Sequence, residues 1–377
     1  MFNFLKRIAG KLKGEYFQNQ LGFARLFFPF EYREIEKFSG IAYAAIDLRA
    51  KAIARARFRI YRVIDSDEFI EIDFREKPYQ FLQNLNPVVT KYQLLYKTAA
   101  LLDLTGNAYW YVVRNKLGEP SEIWVLDSEL VRVVNRGISV TGYEYYVSGN
   151  TIKFDVDEII HFYYPDPYSH FYGKGPLQAA LISVEADMYM KQYWEAFFKN
   201  SANPRIVYES EPGTSIKDIE KLRADLYALY TGSGVGKPFV LPPGIRVRPV
   251  SLNPVELDWL KSRQVTMEDI IVAFQTPKSK LGLESGVNKA IAEASDYTFK
   301  ADVIEPILTL FDEILTKHLL HRYYKDETLI IKHDSVVPKD RELLLREYQL
   351  GVQFGWLTPN EIRKLEGWKP YNGGDIF

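Results

Sequence analysis

The residue that most invites chemistry is Lys237, which closes the run Thr231-Gly232-Ser233-Gly234-Val235-Gly236-Lys237-Pro238. A lysine behind closely spaced glycines is the device a phosphate loop uses to hold a nucleotide. Two positions break the pattern. Thr231 stands where the first glycine belongs, and Pro238 stands where a hydroxyl would bind magnesium. Proline also removes an N–H that a phosphate would need at a helix start. The run follows a helical stretch, whereas a phosphate loop follows a strand, so it reads as a flexible helix-to-strand connection. A nucleotide-binding enzyme built on Lys237 is the alternative from another class.

Other reactive residues read in the same plain way. His318 and His321 are three apart on one helix, a spacing that metal ligands use. With five histidines, no cysteine and no HExxH pattern, they read as ordinary surface histidines. No GxSxG elbow and no GxGxxG after a strand occurs. The acid pairs Asp65/Asp67 and Asp155/Asp157 fall in turns, where acids are common. Arg49, Lys51, Arg55, Arg57, Arg59 and Arg62 could grip phosphates. Spread over a helix and a strand, they cannot share one face, and they read as a solvated or subunit-facing ion-pair surface. The expectation is a protein without catalysis, metal or cofactor. Residues 276–288 present Lys278, Lys280, Leu281, Leu283 and Val287 between two long helices. On the residues alone, a functional loop and an ordinary surface connection are equally good readings.

The elements around these residues give an α+β chain. It has 377 residues and a formal charge of -1, which leaves no global basic footprint for tight nucleic-acid binding. Absence of cysteine excludes disulfides and thiolate chemistry. Aromatic residues make up 15%, enough for extensive interfaces as well as a core. No stretch approaches the roughly 20 apolar residues that span a bilayer. Met1 to Lys13 is basic and amphipathic, which fits an arm docking on a neighbour or, alternatively, a peripheral membrane anchor. Nothing marks export, and a cytosolic compartment is expected.

Periodicity predicts a helix over 38–56, strands at Phe58–Val63 and Phe69–Ile72, and a helix from Thr90 to Leu104 stopped by Gly106. Ala108 to Val113 reads as a near-continuous strand, and short strands follow to about Tyr164. After Gly173-Lys174-Gly175-Pro176 come about 24 residues without a breaker, a rod of roughly 36 Å. An insertion over 201–252 reads as a strand, a helix opening at Ser215, and two strands flanking Pro242-Pro243-Gly244. A second long helix opens at Asn253-Pro254 and ends before Pro277. A third runs from Lys289 to Tyr324 with a bend at Pro306. A strand at Leu329–His333, a helix from Pro338 to Gln353 and a capped helix opening at Thr358 complete the chain.

Taken in order, these segments resemble the portal proteins of tailed bacteriophages, in the siphophage-type branch of head-tail connectors. The pieces that carry the resemblance are Gly173-Lys174-Gly175-Pro176-Leu177; Phe197-Phe198-Lys199-Asn200 and Pro204; Gly236-Lys237 with the strand to Leu241; Ser251-Leu252-Asn253-Pro254; Glu268-Asp269-Ile270-Ile271 with Phe274 and Pro277; Gly355-Trp356-Leu357-Thr358-Pro359-Asn360-Glu361-Ile362-Arg363; and Gly373-Gly374-Asp375. The resemblance as a whole runs from about residue 35 to the end. Gly175 replaces the usual serine before the helix proline, and Gln275-Thr276 replaces a commoner Gly-Val.

The resemblance implies a ring of twelve copies at one capsid vertex, in the virion and, during assembly, in host cytoplasm. Double-stranded DNA would pass through it non-specifically during packaging and ejection. Terminase, major capsid protein, scaffold and a head-tail adaptor would be partners, and no membrane would be involved. A domesticated prophage or gene-transfer-agent portal is the close variant. The implied parts are an N-terminal arm (1–34), a wing (35–175), a first stem helix (176–200), a clip (201–252), a second stem helix (253–275), a tunnel loop (276–288), a wing return (289–335) and a reduced crown (336–377). The loop residues implied to face DNA are Thr276, Lys278, Ser279, Lys280, Leu281, Leu283, Glu284, Ser285, Val287 and Asn288. Those implied to meet an adaptor in the clip are Arg205, Lys217, Lys221, Arg246 and Arg248.

Overall fold

The computed structural model describes residues 40–65, 68–147, 149–199, 206–210, 217, 219–221, 223–225, 245–249, 259–284, 288–338 and 341–375. Met1 to Lys13, Arg205, Ser215, the Lys237 run, Pro242 to Gly244, Asn253-Pro254, Ser285 and Val287 lie outside the described residues.

A short, two-sided strand organises the body. β3 (Asn107–Arg114) pairs antiparallel with β4 (Pro120–Leu126) on one edge and β8 (Ile159–Tyr163) on the other. Side chains alternate across a strand, so the apolar run divides into two sets. Ala108, Trp110 and Val112 enter one core, while Tyr109, Tyr111 and Val113 enter a second. That explains why the sequence shows no polar alternation here: both faces are dry. The Trp110 indole donates to Thr98 Oγ1 at 2.7 Å, so its one polar atom is satisfied in the core.

The second core lies between β3 and the antiparallel meander β5 (Val131–Arg136), β6 (Ser139–Val147) and β7 (Asn150–Phe154). The first and larger core is closed by helices. α1 (Gly40–Ala54) packs on α3 (Lys91–Thr105), a helix opened by a Thr90/Gln93 capping box. Between them come β1 (Phe58–Asp65), β2 (Glu68–Glu71) and a short helix α2 (Lys77–Gln83), whose Pro78 suits a helix start. At seven residues with only Pro78 and Leu82 buried, α2 is too short to show a helical period in the sequence. β1 also pairs with β11 (Leu329–His333), so the order of that sheet is β11-β1-β2. The fold is α+β, and the pairings are antiparallel throughout the described residues.

Two expectations about long helices need adjusting. The rod after Gly175 is two pieces, α4 (Pro176–Ala179) and α5 (Leu181–Lys199). Ala180 lies between them at φ -91° and ψ 8°, a turn-like conformation. Its N–H still bonds Pro176 O at 3.0 Å and its carbonyl accepts from Val184 N at 2.9 Å, so the hydrogen-bonded run carries across the break. The expected bend at Pro306 is present as helix in a different winding. α7 (Lys289–Thr298), a π-helical segment (Phe299–Ile304), α8 (Glu305–Leu315), a second π-helical segment (Thr316–His321) and α9 (Arg322–Tyr324) run end to end. Pro306 lacks the N–H of a regular turn and its ring crowds the carbonyl four residues back. Wider winding just before it relieves that crowding. Apolar residues of α8 at Leu308, Phe311 and Leu315 are buried in the first core.

α6 (Trp259–Phe274) packs against α5, and β9 (Ile206–Ser210) pairs with β10 (Ile245–Pro249) in the stretch between them. The chain ends in α10 (Arg341–Gln353) and α11 (Pro359–Leu365), the latter opened by the expected Thr358/Glu361 box.

The glycines of the 173–175 turn have a specific task. Gly106 ends α3 at φ 74°, in the left-handed region that glycine tolerates. The backbone of Gly173 and Gly175 lies directly against it, and a Cβ on Gly175 would come within 2.7 Å of Gly106 N and 2.8 Å of Asp103 O. Asn107 locks the contact, accepting from Gly173 N at 2.9 Å and donating to Gly173 O at 3.1 Å. Gly175 is thus demanded by space. Gly106→Ala combines a disfavoured φ with a backbone clash, and should lower unfolding free energy by about 2 kcal/mol or more in denaturant titration.

Candidate functional site

The roots of α5 and α6 meet the body at one buried polar cluster. Asp103 on α3 is fully buried, and Arg49 on α1 is 4% exposed. Arg49 donates from Nε to Asp103 Oδ2 at 2.7 Å and from Nη2 to Oδ1 at 3.0 Å. Its Nη1 donates to the carbonyl of Phe274, the last residue of α6, at 2.8 Å. Tyr164 OH donates to Asp103 Oδ1 at 2.9 Å. Burial opposes the Arg49 charge, but the adjacent Asp103 carboxylate outweighs it and holds the guanidinium above its usual range. A planar fork meeting a carboxylate side-on is the strongest form of this contact. A cation at a helix C-terminus also answers the helix dipole. Four distant segments are therefore fastened by one side chain.

Outward from this cluster, α5 and α6 run antiparallel. Ser183 reaches Asp269 at 3.3 Å, and Asp187 reaches Arg263 at 3.3 Å and Lys191 at 2.5 Å. Ile182, Tyr189, Val265 and Val272 are exposed apolar residues on the two helices.

The loop after α6 is short and folded. Gln275 takes a left-handed φ of 51°, which ends the helix, and Pro277 prevents its renewal. Thr276 is buried. Lys278 to Leu281 form one 3₁₀ turn, closed by Gly282 at φ 70°. Lys278 pairs with Glu268 of α6 at 2.8 Å. Lys280 pairs with Asp296 of α7, which also takes Lys300 at 2.9 Å. Hydrogen bonds from Lys278 and then Gln264 hold the Glu268 carboxyl below its usual range. At Asp296 burial works the other way, and the two lysines outweigh it. The side chains of Lys278 and Lys280 keep 39% and 31% of their surface. Ser279 belongs to the same turn and Leu281 is half-buried, while Leu283 and Glu284 are exposed. Asn288 caps α7, accepting from Ile291 N at 3.1 Å.

The remaining sequence candidates fall apart from this site. Lys217, Lys221 and Arg246 are exposed in the 206–249 stretch, and Arg248 faces Val207 in the β9–β10 register. The arginine run resolves into ion pairs, as read: Lys51–Asp47, Arg59 with Glu71 and Asp334, and Arg62 with Glu76. Arg55 and Arg57 are exposed with no such pair among the described residues, and Arg49, which sequence reasoning placed on a surface, is buried. Its signal was present in Asp103, a carboxylate inside the apolar run Ala99-Ala100-Leu101-Leu102-Asp103-Leu104. His318 contacts Arg322 at 2.6 Å, and burial followed by that cation brings it down to about 4. His321 contacts the Leu329 carbonyl at 2.9 Å. Asp157 pairs with Arg114 at 2.6 Å. Among the described residues no group of three or more His, Asp or Glu side chains is arranged to hold a metal ion, and no helix is long and apolar enough to cross a membrane.

An α+β body thus fastens the roots of two paired helices, with a folded loop at the base of the second. The chain belongs to the phage portal protein family, whose model matches residues 41–367. Proteins of this family are structural. The fold is similar to the neck of a native gene transfer agent particle computed with C12 symmetry, with a TM-score of 0.60 and 22% identity over 88% of this chain and 90% of that one. It is similar to an HK97-family phage portal protein from Corynebacterium diphtheriae, with a TM-score of 0.57 and 17% identity over 81% and 96%. An uncharacterized protein of Rickettsia bellii is 24% identical over 72% of each chain.

Removing Arg49 tests the fastening. Arg49→Met strands Asp103 in the core, and should cost about 3–5 kcal/mol of unfolding free energy. Adding Asp103→Asn to that variant should recover part of the loss. A loss in Arg49→Met no larger than that of an exposed ion pair, in the same denaturant titration, would show that the cluster is not fastened in this way.

Proposed function

We propose that the protein forms a head-to-tail ring of twelve copies at one capsid vertex, the channel through which double-stranded DNA enters and leaves the particle. Its family membership carries this reading. Exposed Ile182, Tyr189, Val265 and Val272 support it, since they give neighbouring copies apolar surface to cover. In this reading 35–175 with 289–335 is the wing, 176–200 and 253–275 are the stem, 201–252 is the clip, 276–288 is the tunnel loop and 336–377 is a reduced crown. The clip, through Arg205, Lys217, Lys221, Arg246 and Arg248, would meet a head-tail adaptor and lie near the terminase that supplies energy. Major capsid protein and scaffold would surround the wing.

A conduit must let DNA slide, and every phosphate neutralised adds affinity that resists sliding. The loop suits that need. Lys278 is balanced by Glu268, and Lys280 with Lys300 shares Asp296, so the pair of clusters keeps one net positive charge per copy. Likeness to the gene transfer agent neck favours a second reading, a portal of such a particle with the same ring and channel.

Native mass spectrometry with class-averaged micrographs tests the ring. The expected result is about twelve copies around an axial hole, and a stable monomer in the presence of scaffold and capsid protein would sink the reading. Replacing both loop lysines by glutamine should leave rings intact and lower the fraction of particles that retain DNA. Failure of the ring would instead assign the lysines to contacts between copies.

A further inference from the structure

A polar pocket lies on the body, lined by no residue of α5 or α6. It has a volume of about 430 Å³ and forms where the end of α1, β1, β2, α2 and the start of α3 converge. Ala54, Ala56 and Phe58 give it an apolar floor, and Tyr79 and Tyr92 are among its walls. That size and lining are within the range of specific ligand sites.

Its charges are unevenly matched. Arg59 is held by Asp334 at 2.8 Å and by Glu71 at 3.1 Å, so two carboxylates share one guanidinium. Lys91 and Arg57 also line the pocket, and among the described residues neither has a carboxylate within ion-pair distance. Lys91 Nζ instead stands 5.9 Å from the centre of the buried Phe58 ring. Summed over these five groups the pocket carries one positive charge, and the ammonium that supplies it is half removed from water. A lysine placed so loses solvation and gains only a weak ring contact, with no anion in return. Burial brings Lys91 down to about 8.

We propose that this pocket receives a single carboxylate, the side chain of an aspartate or glutamate on a partner polypeptide, with Lys91 as its counter-ion and Arg57 as the second cation of the site. One negative charge balances the pocket. A phosphate, with nearly two charges, would sit against Glu71 and Asp334 with less compensation. The Phe58, Tyr79 and Tyr92 rings suit the methylenes and backbone that flank an acidic side chain in a peptide. The site stands whether or not the chain forms a channel, because none of its residues belongs to the long helices or the loop between them.

The test uses the full chain with its lysines reductively ¹³C-methylated, the Lys91 signal being assigned by its absence in Lys91→Arg. The probe is N-acetylglutamic acid amide, whose only charge is the side-chain carboxylate. Inorganic phosphate and a short DNA duplex are run in parallel. A ligand that binds only the charged lysine raises its titration midpoint by about one pH unit at ten times its dissociation constant. The expected result is a Lys91 midpoint near 8 in the free protein, raised by the glutamate probe and raised less in Arg57→Gln. A Lys91 that titrates like an exposed lysine and ignores the probe overturns the proposal. A larger response to phosphate or DNA than to the glutamate probe also overturns it, assigning the pocket to phosphate.

Discussion

A buried guanidinium–carboxylate pair sets the geometry of this chain. Arg49 and Asp103 are both removed from water, at a cost that only close, directional bonding offsets. Each of the three Arg49 guanidinium nitrogens is therefore committed: to Asp103 twice, to the Phe274 carbonyl, and more distantly to Tyr164. Such a network tolerates little displacement, because moving any member leaves a charge or a carbonyl unsatisfied in the core. The end of α6 is consequently fixed against α1 and α3, and the start of α4 is fixed beside it by the close backbone packing of Gly106, Gly173 and Gly175. Two independent constraints, one electrostatic and one steric, hold the two helix roots to the same patch of the body. A long lever is useful only if its base is rigid, and here rigidity is concentrated at the base.

Much of this architecture was legible in the residues. The cap at Thr358, the helix ended by Gly106 and the strand at Leu329–His333 follow from local rules and stand in the structure, while the disturbance expected at Pro306 is a change of winding. What local rules could not supply was partnership across the chain. The AYWYVV strand read as buried, but its division between two cores depends on which sheets lie above and below it. Arg49 read as one of six surface cations, because nothing within its own helix announces a carboxylate on another. The lysines of the 276–288 loop stood out by type and place. Their neutralisation by Glu268 and Asp296 depends on the loop curling back onto the helices that flank it.

The same contrast separates the two charged regions of the surface. Around β1 Arg59 and Arg62 are cross-braced to Glu71 of β2, to Glu76 just before α2, and to Asp326 and Asp334 flanking β11, a lattice that stiffens a three-stranded sheet. Individually such exposed pairs contribute little. Arranged around one short sheet, they match Arg59 and Arg62 and leave Arg57 and Lys91 without a carboxylate among the described residues.

The β1–β11 pairing has a consequence for how the protein is made. Ile60 lies opposite Ile331, about 270 residues later in the chain. At ribosomal rates of roughly 5–20 residues per second, β1 waits on the order of 15 to 55 s for the strand that completes its sheet. During that interval one edge of β1 offers unpaired backbone to any passing strand. Chain synthesis, rather than diffusion, thus sets the earliest moment at which the body can close, and a nascent chain released early would carry an open sheet edge into a crowded cell.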